Sequence, residues 1–157
     1  VYATIGQDPQ RGPGSGCLSC IDATKTGDIT STGVLWRYTR LNRSTATPSV
    51  AHGLVFVAAG VGDVHCLDAD TGQCHWVHQT GGGNSLGSTL VADGKVYFGN
   101  GNGKLSVLAA SKEKKLLAEI NLRSPIQCTP VVANRVLYVA CHNTLYAVAA
   151  AGQGVSK

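Results

Sequence analysis

Six cysteines and five histidines are the residues whose chemistry could reach beyond packing. Cys17-Leu18-Ser19-Cys20 has the spacing of a thiol pair that chelates a metal or cycles through a disulfide. The residues around it read as a strand, where positions three apart point to opposite faces, so neither use suits the pair. Cys66 and Cys74 flank a turn, and a bridge between them can be drawn if their registers agree. Buried free thiols are the favoured reading for the set, which also includes Cys128 and Cys141.

The histidines do not gather in sequence. His52 sits in a hairpin turn, His65 on a strand, His75 and His78 on either side of Trp76, and His142 after a strand. A metal site can be drawn from Cys66, Cys74, His75 and His78. Surface or hydrogen-bonded core histidines account for them better. No Ser-His-Asp arrangement has motif context. Gly81-Gly82-Gly83-Asn84-Ser85 lacks the Lys-Ser/Thr ending of a phosphate loop and enters no helix, so it reads as a connection. Asn100-Gly101-Asn102-Gly103 is turn chemistry with too few carboxylates for calcium. The sequence therefore assigns no catalytic, cofactor-binding or metal residue.

The elements that position these groups follow from composition and pattern. The 157 residues carry a formal net charge of +4, with 43% apolar and 14% charged side chains, which suits a folded chain and excludes a solvating tail. Its longest apolar runs, such as 54–59, are strand-sized, far below the roughly 20 residues of a membrane-crossing helix. Arg37, Arg40 and Arg43, and Lys112, Lys114 and Lys115, read as solvated surface; no nucleic acid partner is expected. No apolar leader opens the sequence, which begins at Val1 and contains no methionine, so location is not read from its start.

An internal repeat dominates the pattern. Thr47-Pro48-Ser49-Val50-Ala51-His52-Gly53-Leu54-Val55-Phe56-Val57 matches the eleven residues from Ser88 to Phe98 and again those from Thr129 to Val139, which places Ala51, Ala92 and Ala133 at steps of 41. A second series follows each: residues 62–69, 103–110 and 143–150. The first stretch joins through Cys17 to Ala23, and Trp36 and Trp76 close two of the units. Apolar and β-branched runs of four to six residues between Gly, Asp, Asn and Thr make the chain all-β. His52-Gly53, Asp93-Gly94 and Asn134-Arg135 are hairpin turns in which Gly or Asn takes positive φ. Asp68 and Gly72 form a longer turn. On each third strand both faces are largely apolar: Leu18, Val64, Leu105 and Leu145 with Cys20, Cys66, Val107 and Ala147 on one, and Ser19, His65, Ser106 and Tyr146 followed by Ile21, Leu67, Leu108 and Val148 on the other. Such strands are covered by a neighbour on either side.

Four-stranded units of about 41 residues fit β-propeller blades, and the chain is expected to form a partial propeller of antiparallel blades. Residues 1–157 are one propeller segment: 1–46 an incomplete first blade with insertions, 47–87 a second, 88–128 a third, and 129–157 an incomplete last blade. The first lacks an inner strand and the last an outer one, leaving fourteen strands where a closed ring needs more. Either the rest of a longer chain or a second chain is expected to complete the ring. Residues 6–16 and 24–33 are read as rim insertions.

On these residues the chain resembles the quinoprotein, or PQQ-like, β-propeller repeat family. The matching pattern is Thr-Pro-x-Val-Ala-x-Gly-x-Val-Tyr-Val, then Gly-x-Leu-x-x-Leu-Asp-Ala-x-Thr-Gly-x-x-x-Trp, met nearly in full by Thr47 to Trp76. The resemblance implies structural roles for Trp36 and Trp76 between neighbouring blades, and for Asp68, Gly72, Gly53 and Gly94 in the turns. It implies either a non-catalytic binding or scaffolding segment or a fragment of a quinone-dependent oxidoreductase whose PQQ and calcium ligands lie largely elsewhere. Such enzymes use Glu, Asn and Asp for calcium, and some an adjacent Cys-Cys pair. Here the two glutamates, Glu113 and Glu119, fall in a turn and a late strand, and no cysteines are adjacent. The non-catalytic reading is preferred: no cofactor in this segment, a protein, peptide or carbohydrate ligand, and a place in the bacterial periplasm, outer envelope or secreted fraction.

Overall fold

A computed structural model describes residues 1–6, 15–83 and 86–149, and places fourteen strands in four antiparallel sheets. β1 (Tyr2–Gly6), β2 (Ser15–Ile21) and β3 (Val34–Asn42) form the first sheet, in that order. The second holds β4 (Ser49–Ala51), β5 (Leu54–Ala58), β6 (Asp63–Asp68) and β7 (Cys74–Gln79). The third repeats it with β8 (Leu90–Ala92), β9 (Lys95–Gly99), β10 (Lys104–Ala109) and β11 (Leu116–Asn121). The last has β12 (Val131–Ala133), β13 (Val136–Ala140) and β14 (Leu145–Ala149). This is the partial propeller expected from the repeat. Insertion residues 7–14, Asn84 and Ser85 of the glycine-rich connection, and residues after Ala149 lie outside the described residues.

Each sheet is a simple meander, and in the second, third and last sheets the connections are too short for anything else. Ala51 pairs with Leu54, Ala92 with Lys95 and Ala133 with Val136, so two residues make each inner hairpin. Both central residues take positive φ: His52 53° and Gly53 70°, Asp93 50° and Gly94 66°, Asn134 51° and Arg135 63°. That geometry matches the right-handed twist of the flanking strands. Arg135 stands where the two preceding hairpins have glycine, and its Cβ makes the left-handed conformation costly.

Packing occurs between sheets. Leu18, Tyr38 and Leu41 of the first meet Val55, Val57 and Leu67 of the second; Leu54, Phe56, Val64, Cys66 and Trp76 on its opposite face meet Val96, Phe98 and Leu108 of the third. Leu105, Val107 and Ile126 then meet Val139 of the last. The expected two-faced burial thus holds in the second and third sheets. It fails in the last, where Leu145 is 64% and Val131 54% exposed, because no sheet among the described residues covers that face.

A bulge recurs at one place. Cys20 pairs with Trp36 but Ile21 with Val34, Cys66 with Trp76 but Leu67 with Cys74, and Val107 with Ala118 but Leu108 with Leu116. Leu35, His75 and Leu117 are the extra residues, and the added local twist re-aims the side chain that follows. Arg135→Gly is expected to raise stability by about 1 kcal/mol, relief of the left-handed strain offset by the greater entropy of unfolded glycine. The shift in denaturant midpoint of the natural protein checks it; an unchanged or lower midpoint refutes it.

Candidate functional site

The bulge delivers each tryptophan onto the next sheet. Trp36 lies over the β6–β7 turn: its Nε1–H donates to the Ala69 carbonyl at 3.0 Å, and a Cβ on Gly72 would stand 2.5 Å from the indole. Gly72 also has φ 72°, so two constraints require glycine there. Asp68 shapes the same turn, its carboxylate accepting the Thr71 N–H at 3.1 Å and hydroxyl at 3.0 Å, and these bonds hold its carboxyl below the usual range. Trp76 repeats the arrangement, donating to Ser111 O at 2.9 Å. Each indole has an aromatic companion: Tyr2 5.8 Å from Trp36 and Phe56 5.9 Å from Trp76, tilted by 43° and 42°.

Polar groups are buried in the same junctions. The Tyr38 hydroxyl lies 3.0 Å from His65 Nδ1, while His65 Nε2 is buried without a hydrogen-bond partner. Burial takes the His65 pKa down to about 4, and burial followed by the hydrogen bond with Cys74 pushes Tyr38 up. Both rings are neutral at neutral pH. All six cysteines are free: Cys20 and Cys66 are buried, Cys128 is exposed, and the other three lie between. Cys66 opposes Trp76 and Cys74 opposes Leu67, and the bridge drawn between the two cysteines is not formed. Burial, then the neighbouring Cys74, pushes the Cys66 thiol up to about 12, which makes it a poor nucleophile.

A polar cleft opens between β7 and β11. It has a volume of about 540 Å³ and is lined by Val77, His78, Lys104, Lys114, Leu116 and Glu119. Buried His78 places Nε2 3.4 Å from Ser106 Oγ and 3.8 Å from Glu119 Oε1, which Lys104 Nζ approaches to 3.4 Å. Lys114 Nζ donates to Val77 O at 2.8 Å. Burial and then the Lys114 charge lower the His78 pKa against the opposing pull of Glu119. With a neutral imidazole, two ammonium groups and one carboxylate, the cleft carries a net positive charge beside the apolar Val77 and Leu116. His75, by contrast, lies 3.8 Å from Asp68, away from His78's partners, and among the described residues no three metal-ligating side chains cluster. Glu113 supplies only a backbone acceptor for Ser111 at 2.7 Å.

Two devices escaped the sequence reading. Asn100, read as turn chemistry, is fully buried: its Nδ2 donates to Thr80 Oγ1 and Gly82 O, both at 3.0 Å, and its Oδ1 accepts from Asn102 and Lys104 N–H. It pins the connection between the second and third sheets. Thr47 N–H donates to Ser88 Oγ and Ser88 N–H to Thr129 Oγ1, both at 2.8 Å, a chain linking repeat-equivalent positions. A hydroxyl residue in each of the three places was the available signal. The 24–33 insertion is ordered internally, with Ile29 O accepting from Thr32 and Gly33 N–H at 3.2 and 2.8 Å.

Residues 15–156 match the family described as outer membrane protein assembly factor BamB. The chain belongs to this family. Its fold is similar to that of BamB from Moraxella catarrhalis, with a TM-score of 0.68 and 20% identity over 87% of this chain and 42% of that one. It is also similar to quinohemoprotein alcohol dehydrogenases from Pseudomonas putida HK5 (TM-score 0.55, 24% identity) and Comamonas testosteroni (0.54, 25%), in each case over 60% of this chain and 16% of the enzyme. The chain therefore spans less than half of the BamB structure and about a sixth of either enzyme. No curated protein matches it. No helix among the described residues is long and apolar enough to cross a membrane.

Trp76→Ala is expected to cost about 3–5 kcal/mol, since a buried indole, its aromatic contact and its hydrogen bond are lost together. An unmoved denaturant midpoint contradicts the interlocking role. His65 supplies a pH signature. Its folded pKa lies below the unfolded value of 6.5, so its contribution is full above pH 6.5 and drains away as pH falls toward 4. The loss should reach about 3 kcal/mol, and unfolding measured across that window should flatten in His65→Gln.

Proposed function

We propose that this chain is a blade array of a non-catalytic assembly factor in the bacterial envelope, where it holds a protein partner. The observation that carries the reading is the family match across residues 15–156. The geometry is compatible with it: His78, Lys104, Lys114 and Glu119 line an open cleft that can serve as a recognition surface. Apolar faces left open on the last sheet, with Leu145 and Val131 more than half exposed, are covered by further blades or by a second chain. The partner contributes acidic side chains or strand carbonyls to the cleft, which its two lysines meet.

A photo-crosslinking residue at Gln79, exposed at the edge of the cleft, tests this in the natural protein within envelope fractions. Adducts with a protein of outer-membrane assembly are expected, and Lys104→Glu with Lys114→Glu should reduce them at least about tenfold. Dye-linked alcohol oxidation by the purified natural protein supplied with PQQ and calcium refutes the non-catalytic reading. A crosslinking yield unaffected by the paired charge reversal refutes the role of the cleft.

A further inference from the structure

Buried polar pairs occupy the same place in the first two junctions, with their roles exchanged. Tyr38 and His78 are repeat-equivalent, two positions beyond Trp36 and Trp76, and each reaches the third strand of the next sheet, at His65 and Ser106 respectively. In the second junction the imidazole lies beside the open cleft, with the Glu119 carboxylate 3.8 Å from Nε2, so an added proton finds a counter-charge. In the first it sits between the sheets. His65 is 4% exposed, its ring is edge-on to Tyr38 with 5.7 Å between centroids, and its Nε2 has no hydrogen-bond partner. The groups around it supply no negative charge. The first sheet offers the Tyr38 hydroxyl, on which the Arg40 guanidinium also acts, and the second offers the Cys74 thiol hydrogen-bonded to Tyr38. Of the two carboxylates on β6, Asp63 interacts with His78, and Asp68 with His75 and Lys112.

We propose that the junction between the first and second sheets is an acid-operated hinge: a proton on His65 undocks the first sheet, baring Val55, Val57 and Leu67, while the second junction stays closed. An imidazolium donates at both nitrogens. Tyr38 can accept from Nδ1, but Nε2 would hold a buried N–H and a share of the charge with nothing to meet either. That state is costly, and water relieves it only if the sheets part. The other bonds across this junction do not titrate in acid: the Trp36 indole and the Tyr2 hydroxyl both donate to Ala69 O, and Ser44 Oγ donates to Ala58 O. Burial alone brings the imidazole down to about 4 from 6.5. The closed junction is therefore fully favoured above pH 6.5 and loses ground as pH falls toward 4. Acid acts on one junction and leaves its neighbour docked.

The two indole N–H groups report the two junctions separately, because each donates to a carbonyl of the next sheet. Their exchange with solvent, measured by NMR on the natural protein and corrected for the intrinsic rate at each pH, gives the opening of each junction. Between about pH 7.5 and pH 5 the protection of the Trp36 N–H is expected to fall about thirtyfold, while that of Trp76 holds. His65→Gln, neutral throughout, should show no such fall. If that variant does not fold, His65→Leu suits the apolar surroundings and carries the same expectation. Trp36 protection that is unchanged by acid, that falls together with that of Trp76, or that falls equally in the His65 variant overturns the proposal.

Discussion

A four-stranded sheet with apolar side chains on both faces is insoluble alone, and that single constraint organises this chain. Strands such as β5 and β6 alternate between two cores: Val55, Val57 and Leu67 belong to the junction before the sheet, Phe56, Val64 and Cys66 to the one after. Stability is therefore a property of junctions, and each junction needs two sheets to exist. In the second and third sheets burial follows the presence of a covering sheet. Leu67 and Leu108, with a sheet on the relevant side, are fully buried; Leu145, facing away from the array, is 64% exposed.

The junctions also need orientation, which apolar burial alone does not provide. The recurrent bulge before the tryptophan position and the indole N–H donated to a carbonyl of the next sheet act as one unit, joined at Trp36 by the glycine that lets the ring settle over a turn. Asn100 and the Thr47–Ser88–Thr129 chain fix the inner parts of the same contacts. Directional bonds of this kind contribute modestly to stability because water competes for the same groups, yet an unmet buried donor is costly. They select one rotation of sheet on sheet from the many that would bury similar area.

Much of this was legible before any coordinates. The step of 41 between Ala51, Ala92 and Ala133, the hairpin dipeptides and the two-faced apolar strands specify the sheets. Positive φ was foreseen for Gly53, Gly94 and Asn134 and missed for His52, Asp93 and Arg135, since only the type of turn, not the residue, demands it there. The cleft was invisible for a different reason. Lys104 and Glu119 are neighbours on adjacent strands of the third sheet, but His78 comes from the second, and only the inter-sheet rotation brings it within 4 Å of Glu119. Asn100 looked like an ordinary turn residue because its partners, Thr80 and Gly82, lie about twenty positions away on the preceding connection.

Variation in such an array is informative where it breaks a shared mechanical rule. Surface residues of the blades differ freely, since nothing in the junctions reads them. The tryptophan position is another matter: at two junctions it carries the indole and its hydrogen bond, and at the third Ala118 carries neither. Tyr97 nonetheless keeps the aromatic place opposite Val107, and Leu105 and Val107 keep their burial. A junction relaxed throughout would have lost those features together with the indole. One missing side chain in an otherwise retained frame leaves Tyr97 and Val107 without the indole that Phe56 and Cys66 share, so the third junction forfeits the dispersion contacts and the directional bond that the other two keep.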